Sequence, residues 1–488
     1  MVTRRRFLGT VGASALIVGF DPTARAWATS AGSRSVQRIP HLDGVLLTDL
    51  PTRQADGRDL GRIVQHLPRA VLRPGSVRDI QKMITFCREH RIPVATRGQG
   101  HSTHGQGLTD GLIIENRSLS TIHSIGTDSI TVGSGALWRE AAHAAAPRGL
   151  TPPLFTTYVG LSVGGTLSVG GVPAQNEFGV QIDHVRELEV VTGDGRLHRC
   201  SMDRERDLFE VMLGGLGQCG VITRATIDLL PARALARNYM IRYPITETAK
   251  VWTDLHILLE RKEFDGVYIL MSVPDGKNVT YQLNAVVFHN ADRTPDDQRL
   301  LRGLSAPVSS AEIENSTYLE WVKRYDPVID AWQRQCAWDD LIKPWFDVML
   351  PGESAQEYVA EVMPTLTARD YGPPTGIGFL FPQRRSKLTR PFFRVPPGNS
   401  EWVYLFDILT SSPAPGPDPA FAAEMLERNR RLYDKAKALG GTRYPIGSLD
   451  FTRADWRAQY GELWPDLLRR KAKYDPDRIL TPGPGIFG

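Results

Sequence analysis

The sequence predicts a protein of mixed α+β structure with more than one domain. Its 488 residues exceed what one hydrophobic core usually covers, so two domains are expected. Apolar residues at helical spacing and short apolar runs typical of strands follow one another at close intervals. From about residue 234 the pattern changes to longer strands and amphipathic helices, which indicates that a second unit begins there.

The first unit, residues 60–235, contains most of the short elements. A helix is predicted to begin at Ser76, because Ser76 and Asp79 match a capping box and apolar residues follow at helical spacing. A Gly-Asp-Gly turn at residues 193–195 lies between two apolar runs and predicts a hairpin. The other predicted elements are strands at 93–96, 112–115, 130–132 and 221–230, helices at 137–146 and 207–213, and a loop rich in Gly, Ser, Thr and Pro over 152–179.

The chain after about residue 235 has a different pattern of predicted elements. Strands are predicted at residues 266–273 and 280–288, and a loop rich in proline and glycine at 413–419. A last capped helix begins at Thr452, where Thr452 and Asp455 again match a capping box. No internal repeat is visible.

The N-terminus has the three parts of a twin-arginine export signal. Residues 3–8 are TRRRFL, an apolar stretch covers residues 9–20, and residues 24–28 (ARAWA) offer two overlapping A-x-A cleavage sites. The apolar stretch is too short to span a bilayer and no later segment is long enough, so no membrane anchor is expected. The sequence therefore predicts a signal peptide at residues 1–28 and export by the twin-arginine pathway, either to the periplasm or out of the cell.

Charge and cysteine content argue against several classes of protein. Lysine and arginine number 58 against 54 aspartates and glutamates, a formal net charge of +4. Four arginines and one aspartate in residues 1–28 carry +3 of it, and the +1 that remains argues against nucleic acid as a partner. The four cysteines show neither a C-x-x-C pair nor zinc spacing, so no disulfide framework or zinc site is implied.

Residues 215–220, GLGQCG, match the dinucleotide fingerprint G-x-G-x-x-G letter for letter. The fingerprint needs a strand before it and a helix after it, whereas a helix is predicted before this run and a strand after it. A Rossmann dinucleotide site is therefore not expected.

Residues 160–164, GLSVG, match the nucleophile elbow G-x-S-x-G of serine hydrolases, with Ser162 as the nucleophile. The elbow requires a helix directly after the serine, whereas four glycines in residues 164–171 oppose a helix. A secreted serine hydrolase that uses Ser162 is kept as an alternative from another enzyme class.

The glycines of residues 97–107, RGQGHSTHGQG, favour a loop that surrounds an anion. Successive backbone N–H groups with no side chain in the way can bind a pyrophosphate. His101 and His104 lie in this loop, but no carboxylate accompanies them there, so a metal site is not expected.

Several runs of residues together resemble the cytokinin dehydrogenases, within the superfamily of flavoproteins of the vanillyl-alcohol oxidase and p-cresol methylhydroxylase (PCMH) type. The resemblance covers nearly all of the chain after about residue 60. Its specificity comes from the collective spacing, because each motif alone is weak. The runs are RGQGHS at 97–102 with Gly105 and Gln106, VGGTLS at 163–168, LGGLGQ at 213–218, ITR at 222–224, PW at 344–345, FP at 381–382, YDP at 474–476, IL at 479–480 and IF at 486–487.

The resemblance implies a two-part FAD-binding domain of PCMH type, residues 60–235 and 441–488, with a substrate (cap) domain of α+β structure, residues 236–440, inserted between them. It implies FAD as the cofactor, attached by a covalent bond from His101 to the 8α-methyl carbon of the flavin. The other cofactor contacts that it implies are Thr96, Gly98, Gln99, Gly100, Ser102, Gln106, Thr157, Ser162, Ser168, Val172, Ile222 and Thr481.

The resemblance also implies that a substrate C–H bond gives a hydride to flavin N5 while a side chain receives a proton. Cytokinin dehydrogenases carry an aspartate for this proton where residues 155–158 of this chain are FTTY. Thr157 holds that position, and a neutral threonine cannot act as the base. A second family carboxylate is replaced at Tyr268, and a family glutamine is replaced by Pro484. The flavin half of the family pattern is thus intact, whereas the cytokinin half is not.

We therefore expect an exported FAD-dependent oxidoreductase that oxidises a small amine or alcohol and passes the electrons to oxygen or a quinone-like carrier. The alternatives are a true cytokinin dehydrogenase with a substituted base, the serine hydrolase, and an FAD-containing binding protein without turnover. The catalytic positions are Thr157, Tyr158 and Tyr268, and the candidates that stay open for the proton acceptor are Tyr158, Tyr268, Asp265, Asn176 and Glu177.

Overall fold

The computed structural model describes residues 19–21, 26–28 and 37–487. The predicted signal peptide lies outside the described residues except for two strands, β1 (Gly19–Asp21) and β2 (Ala26–Ala28). These pair antiparallel and form a small sheet with β3 (Gln37–Arg38). The α+β class predicted from the sequence is confirmed, since helices and strands alternate along the whole described chain.

Residues 45–231 form two main sheets, one further pair of short strands at residues 150–151 and 230–231, and the helices that pack on them. The strands are β4 (Val45–Leu47), β5 (Ala70–Arg73), β6 (Val94–Arg97), β7 (Leu112–Glu115), β8 (Ile122–Ile125), β9 (Ser129–Gly133), β10 (Leu150–Thr151), β11 (Val185–Thr192), β12 (Leu197–Ser201), β13 (Gly220–Asp228) and β14 (Leu230–Pro231). The helices are α1 (Leu50–Asp56), α2 (Val77–Glu89), α3 (Trp138–Ala145), α4 (Val163–Val169) and α5 (Arg206–Met212).

The first sheet has the order β4-β5-β7-β6, in which β5, β7 and β6 run parallel and β4 is antiparallel. Helix α2 buries Ile80, Met83 and Ile84 in a core shared with these strands. The second sheet is antiparallel throughout, with the order β12-β11-β13-β9-β8. Its core includes α3, α4 and α5.

The rest of the described chain contains one large sheet and further helices. The strands are β15 (Leu235–Pro244), β16 (Gly266–Ser272), β17 (Thr280–His289), β18 (Glu312–Thr317), β19 (Phe346–Pro351), β20 (Ile377–Arg384), β21 (Trp402–Leu409) and β22 (Thr442–Arg443). The helices are α6 (Thr248–Arg261), α7 (Asp297–Leu300), α8 (Tyr318–Val322), α9 (Asp326–Cys336), α10 (Ala355–Val362), α11 (Ala368–Tyr371), α12 (Pro419–Ala438), α13 (Arg453–Tyr460) and α14 (Trp464–Tyr474).

This sheet is antiparallel and has eight strands in the order β18-β15-β17-β16-β20-β21-β19-β22. Helices α6, α10 and α12 contribute to its core. The C-terminal segment returns to the first sheet, where Leu480 forms a parallel bridge with Val94 of β6. The backbone N–H of Thr481 donates to the Val94 carbonyl at 2.7 Å, so the last residues extend the β6 edge.

Helix α4 corrects the prediction of an uninterrupted loop over residues 152–179. The helix forms although two of its first three residues are glycines, because Val163 and Leu167 are fully buried. A Cβ on Gly164 would lie 2.7 Å from Ser134 Cβ, so the missing side chain is what lets the helix approach. Tertiary packing overrides the weak intrinsic helix propensity of glycine here.

Helix α2 begins where the sequence predicts, but the capping box between Ser76 and Asp79 does not form. The buried Asp79 carboxylate instead accepts backbone N–H groups of Asp43, Gly44 and Gly75, each at 2.8 Å. Asp79 therefore joins the helix start to the chain that precedes β4.

Within the part of the chain that is described, no helix combines the length and the apolar character that crossing a membrane would require.

Candidate active site

A cavity of about 310 Å³ is enclosed between the first two sheets, the large sheet and the C-terminal segment. The loop after β6, the start of α4 and the chain that enters β13 line one side of it, and aromatic residues of the large sheet and of α9 line the other. The structure thus brings together residues from all three predicted segments. The predicted cofactor residues that line this cavity are Thr96, Gly98, Gln99, Gly100, His101, Ser102, Gln106, Thr157, Ser162, Ser168, Val172, Ile222 and Thr481.

The loop at residues 98–102 presents its backbone N–H groups without partners. The backbone N–H of Leu60 donates to the carbonyls of Gly100 and Ser102, at 2.9 and 3.1 Å, which holds the loop from outside. None of the five N–H groups of residues 98–102 donates to another described residue. Such a row of free donors is an anion site. The loop therefore fits the pyrophosphate of the FAD that the resemblance implies.

Two glycines of this loop are required by space and by backbone conformation. A Cβ on Gly98 would lie 2.0 Å from Ser162 Oγ at the start of α4. Gly100 has φ +65°, in the left-handed region that side chains rarely adopt. The glycines let the loop approach α4 and turn towards the cavity, which supports the prediction that this run surrounds a ligand.

Asp59 binds the end of the same loop that contains Gly105. Its carboxylate accepts the backbone N–H groups of Gly105 at 2.6 Å and Gly61 at 3.1 Å. Burial raises the pKa of Asp59 to about 6, against the opposing effect of the Gly105 hydrogen bond. The carboxylate is thus engaged in shaping the loop.

His101 lies in the cavity wall among aromatic rings. Its ring centroid is 5.4 Å from that of Tyr158 and 5.3 Å from that of Trp345. Burial, with a further contribution from the Lys343 ammonium, lowers the pKa of His101 to about 3. The imidazole is therefore neutral at physiological pH and keeps the nitrogen lone pair that a covalent bond to carbon requires.

Lys343 is a fully buried cation beside this group. Its ammonium donates to the carbonyls of Trp338 and Leu341, the latter at 3.0 Å, and lies 4.6 Å from the centre of the Trp338 ring. Burial lowers the pKa of Lys343 to about 7. Carbonyl oxygens and an aromatic face replace the carboxylate that usually accompanies a buried lysine.

Gln106 and His104 join the loop to the segment after β22. The Gln106 amide donates to the carbonyls of Ile446 at 3.0 Å and Gly447 at 3.1 Å. His104 Nε2 lies 2.7 Å from Asp450 Oδ1. Among the described residues, no three His, Cys, Asp or Glu side chains are placed to hold a metal ion. His104 thus has a structural hydrogen-bond partner.

Ser162 does precede a helix, so the argument from glycine content against a nucleophile elbow was wrong. The serine hydroxyl, however, forms no hydrogen bond with any histidine of the described chain, and it lies against Gly98. A serine nucleophile needs a base within hydrogen-bond reach. Ser168 donates to the Gly164 carbonyl at 2.8 Å within α4. The geometry gives no support to the hydrolase alternative.

The GLGQCG run lies between α5 and β13, in the order helix, glycines, strand that the sequence predicts. It contacts the C-terminal segment, since Thr481 Oγ1 donates to the Gly217 carbonyl at 2.9 Å and Gln218 Nε2 donates to the Thr481 carbonyl at 3.0 Å. Ile222 follows on β13, and its carbonyl accepts from Asn116 Nδ2 at 3.1 Å. Asn116 Oδ1 is buried without a partner and faces the same cavity, which leaves an acceptor for a ligand.

The predicted catalytic positions are not all in the cavity. Thr157 and Tyr158 line it, and burial raises the pKa of Tyr158, so its phenol stays neutral. Tyr268 does not line the cavity; it is 2% exposed and packs 5.6 Å from the Phe381 ring. The other three candidates are bonded elsewhere, as Asp265 accepts the backbone N–H of Phe288, Asn176 bonds the backbone of Val267 and Pro382, and Glu177 pairs with Arg384.

Two aspartates in the cavity wall were missed at the level of sequence. Asp347 lies on β19 and Asp407 on β21, and they are direct cross-strand partners. A sequence signal was present, because each is the only charged residue in an otherwise apolar strand. The same wall carries an aromatic and aliphatic lining that was also not predicted, composed of Tyr325, Ile329, Trp332, Trp338, Ile377, Phe379, Phe381, Leu405 and Leu409.

Family models and curated relatives match this chain over most of its length. The family model described as an FAD binding domain matches residues 68–201, and the model described as "Cytokinin dehydrogenase 1, FAD and cytokinin binding" matches residues 259–487. An uncharacterized oxidoreductase of the fasciation locus of Rhodococcoides fascians is 30% identical over 91% of this chain and 98% of its own length. Cytokinin dehydrogenase 8 of Oryza sativa subsp. indica is 31% identical, over 89% of this chain and 91% of its own length. The chain is a member of the cytokinin dehydrogenase family of FAD-dependent oxidoreductases.

Proposed function

We propose that this oxidoreductase takes a hydride from a small, flat amine or alcohol and that His101 holds its FAD by a covalent bond. One observation carries the proposal. A single cavity has the loop of residues 97–107, called the flavin loop from here on, in one wall, and apolar and aromatic residues of the proposed cap domain in the other. Bound FAD would supply the acceptor for the hydride, at flavin N5.

The chain's own residues would supply binding, orientation and the exclusion of water. The N–H row of residues 98–102 would donate to the pyrophosphate, and Asn116 Oδ1 would accept from an N–H or hydroxyl group of the cofactor. Trp332 and Trp338 on the cap side provide flat apolar faces for an aromatic or isoprenoid substrate. The remaining predicted cofactor contacts belong to the same proposal.

We propose a domain division at about residues 235 and 440, with the FAD-binding domain in two parts. The large sheet begins at Leu235, which supports the first boundary. The bridge between Leu480 and Val94 supports the assignment of the C-terminal segment to the FAD-binding part. Strand β22 lies just after the second proposed boundary, yet it pairs with β19 of the large sheet. The chain therefore returns from the cap domain to the FAD-binding domain through a strand that still belongs to the cap sheet.

An absorbance spectrum of the purified protein before and after acid precipitation tests the covalent bond. We expect a flavin spectrum whose colour remains with the precipitate, and we expect His101→Ala to release the flavin into the supernatant. His104→Ala is the matched control, since its partner is Asp450, and its flavin should remain bound. Flavin released from the wild type by acid would contradict the covalent bond, and a protein without flavin would contradict the whole proposal.

Anaerobic mixing with substrate tests the reaction class. N6-isopentenyladenine is the first probe, because several relatives bear the name cytokinin dehydrogenase. Bleaching of the flavin would support a true cytokinin dehydrogenase in spite of Thr157. Bleaching only by other amines or by alcohols would support a changed substrate. If no amine or alcohol bleaches it, an FAD-containing binding protein without turnover becomes the better description. Readmitted oxygen or an added quinone then identifies the electron acceptor.

We further propose export by the twin-arginine pathway, on the strength of the arginine run at residues 3–8 and the two A-x-A sites before residue 28. Replacing Arg4, Arg5 and Arg6 by lysine keeps the charge and should retain the protein in the producing cell. Unchanged secretion of that variant would contradict the twin-arginine assignment.

A further inference from the structure

Asp347 and Asp407, the two aspartates of the large sheet that line the cavity, are buried ionisable side chains to which no role has been assigned. Asp347 is 4% exposed and Asp407 is 6% exposed, and both line the cavity. Both oxygens of Asp347 and Oδ1 of Asp407 are buried without a partner among the N–H and hydroxyl groups of the described chain. The two carboxyls bond each other when one of them holds a proton, which satisfies one of these oxygens and leaves the others without a donor. Leaving buried carboxylate oxygens unsatisfied costs free energy, so such groups in a cavity point to a ligand that supplies the donor.

No other described carboxylate is available in the cavity. Asp59 is the third that lines it, and its oxygens are committed to the N–H groups of Gly61 and Gly105. Thr157 and Tyr158, the predicted catalytic residues in the cavity, are neutral side chains. A reaction that releases a proton from the substrate therefore finds its acceptor at Asp347 and Asp407.

The groups that face the pair favour a single negative charge on it. Arg443 on β22 and Tyr444 after it approach from the C-terminal side, and the backbone N–H of Tyr444 donates to the Asp347 carbonyl at 3.2 Å. Burial raises the pKa of Asp347 to about 7, with Arg443 opposing the rise. Burial and the adjacent Asp347 raise the pKa of Asp407 well above its ordinary range. Two adjacent buried carboxyls share one proton more readily than both ionise, so near neutral pH the pair carries at most one negative charge. Arg443 faces Asp347 and favours the charge there.

We propose that Asp347 is the proton acceptor of the reaction and that the substrate is an amine whose N–H group reaches Asp347 in the cap. This inference rests on the proposed function. The substrate C–H bond breaks with its electron pair going to the oxidised flavin, and the N–H bond breaks with its proton going to Asp347. The carbon–nitrogen bond becomes double, so the amine is oxidised by two electrons to an imine and the flavin is reduced by two.

The first experiment compares flavin reduction in three holoenzyme variants. Asp347→Asn keeps the side-chain shape and removes the base, Asp407→Asn changes its partner, and Asp292→Asn changes an exposed aspartate as the matched control. We expect Asp347→Asn to slow anaerobic bleaching by N6-isopentenyladenine or benzylamine about 10²- to 10⁴-fold. The wild-type rate should rise with pH through about 7 as Asp347 loses its proton, and this rise should vanish in Asp347→Asn.

A second readout needs no turnover, and its decisive measurement uses the wild type alone. Infrared spectra of the wild-type holoenzyme, recorded against pH without substrate, should show the C=O stretch of a buried protonated carboxyl group at neutral pH. The same band should be missing in Asp407→Asn. Absence of the band from the wild type would overturn the shared-proton state on which the inference depends.

The outcomes separate the inference from the proposed function. If the wild type is bleached and Asp347→Asn is bleached as fast, with the same pH profile, Asp347 is not the acceptor while the oxidoreductase proposal stands. If the wild type is bleached only by alcohols, the amine class is wrong. If nothing bleaches the wild type, the proposed function fails and the proton-acceptor role fails with it.

Discussion

Gly98 shows how one missing side chain decides the local geometry of the flavin loop. Its neighbour across the cavity edge is Ser162, and the space between them is smaller than a methyl group. A Cβ at residue 98 would therefore displace the Ser162 hydroxyl or push the loop away from the start of α4. Such a contact is one of shape, and its loss would move the unpartnered backbone N–H groups of residues 98–102.

We expect Gly98→Ala to lower the flavin content of the purified protein strongly and to destabilise it by about 1–3 kcal/mol, the usual cost of overpacking. The ratio of flavin to protein absorbance measures the first effect and thermal unfolding the second. Gly126→Ala is the control, because a Cβ there would lie 3.4 Å from its nearest neighbour. A normal flavin content in Gly98→Ala would show that the loop can shift without losing its ligand.

The aspartate pair predicts how stability depends on pH. Both carboxyls have pKa values raised in the folded protein, Asp347 to about 7 by burial and Asp407 further. The folded state therefore binds more protons than the unfolded state near neutral pH, and stability falls as pH rises through about 7.

We expect Asp407→Asn to weaken this fall, because the variant has one buried carboxyl fewer to ionise. Thermal unfolding followed at pH values below and above about 7 measures the slope, with Asp292→Asn expected to behave as the wild type. An Asp407→Asn variant as pH-dependent as the wild type would show that the pair does not hold the extra protons.

At the scale of elements, α4 is stabilised by its neighbours. Its glycine-rich sequence is a poor isolated helix, yet it packs on β13 and β9. Trp138 Nε1 of α3 donates to Thr166 Oγ1 of α4 at 2.7 Å, and both groups are buried. Because Thr166 also lines the cavity, this bond connects helix packing to the flavin site.

We expect Thr166→Val to destabilise the protein by about 1–3 kcal/mol, because it keeps the side-chain shape and leaves the buried Trp138 N–H without an acceptor. Chemical denaturation measures the difference. Thr253→Val on α6 is the control, since its hydroxyl donates to a carbonyl of its own exposed helix surface. Equal stability of the two variants would mean that the Trp138 bond contributes nothing.

The strands β19 and β21 illustrate the element scale in the cap. Each is almost wholly buried, and each has one aspartate among apolar residues. Sequence alone indicates that such an aspartate is unusual in a buried strand. Only the register, in which Asp347 lies opposite Asp407, shows that the two side chains lie side by side in the sheet.

At the scale of the whole molecule, the C-terminal segment joins the parts of the site. Lys471 on α14 donates to the carbonyls of Gln218 at 2.7 Å and Leu480 at 3.0 Å, and forms an ion pair with Asp475 at 2.7 Å. The side chains of both ions are almost completely buried, at 2% and 0% exposed. They hold the end of the chain against the GLGQCG run and so keep Thr481 at the cavity.

We expect Lys471→Met to cost about 3–5 kcal/mol, because it leaves the Asp475 carboxylate buried without its cation. Lys473→Met, two residues along the same helix, removes an exposed ion pair with Asp207 and should cost at most about 1 kcal/mol. Denaturant unfolding compares the two. Similar losses would mean that the buried pair has no special role in holding the C-terminal segment.

The sequence predicts most about the site where the residues concerned are close neighbours in the chain. The flavin loop, its glycines and His101 lie within eleven consecutive residues, and the thirteen predicted cofactor residues all line one cavity. The sequence predicts less about residues whose role depends on partners far away in the chain. Tyr268 was a candidate by alignment, but its strand turns the ring into the packing against Phe381.

The sequence by itself determined the family, the mixed α+β class and the composition of the flavin loop, because motifs at fixed spacing and a glycine-rich turn express constraints between near neighbours. Only the tertiary structure decided that α4 is a helix, that Ser162 has no histidine partner, and that two aspartates sixty residues apart share one cavity wall. The physical reason is that the register between strands fixes which side chains meet, and register depends on the packing of the whole sheet.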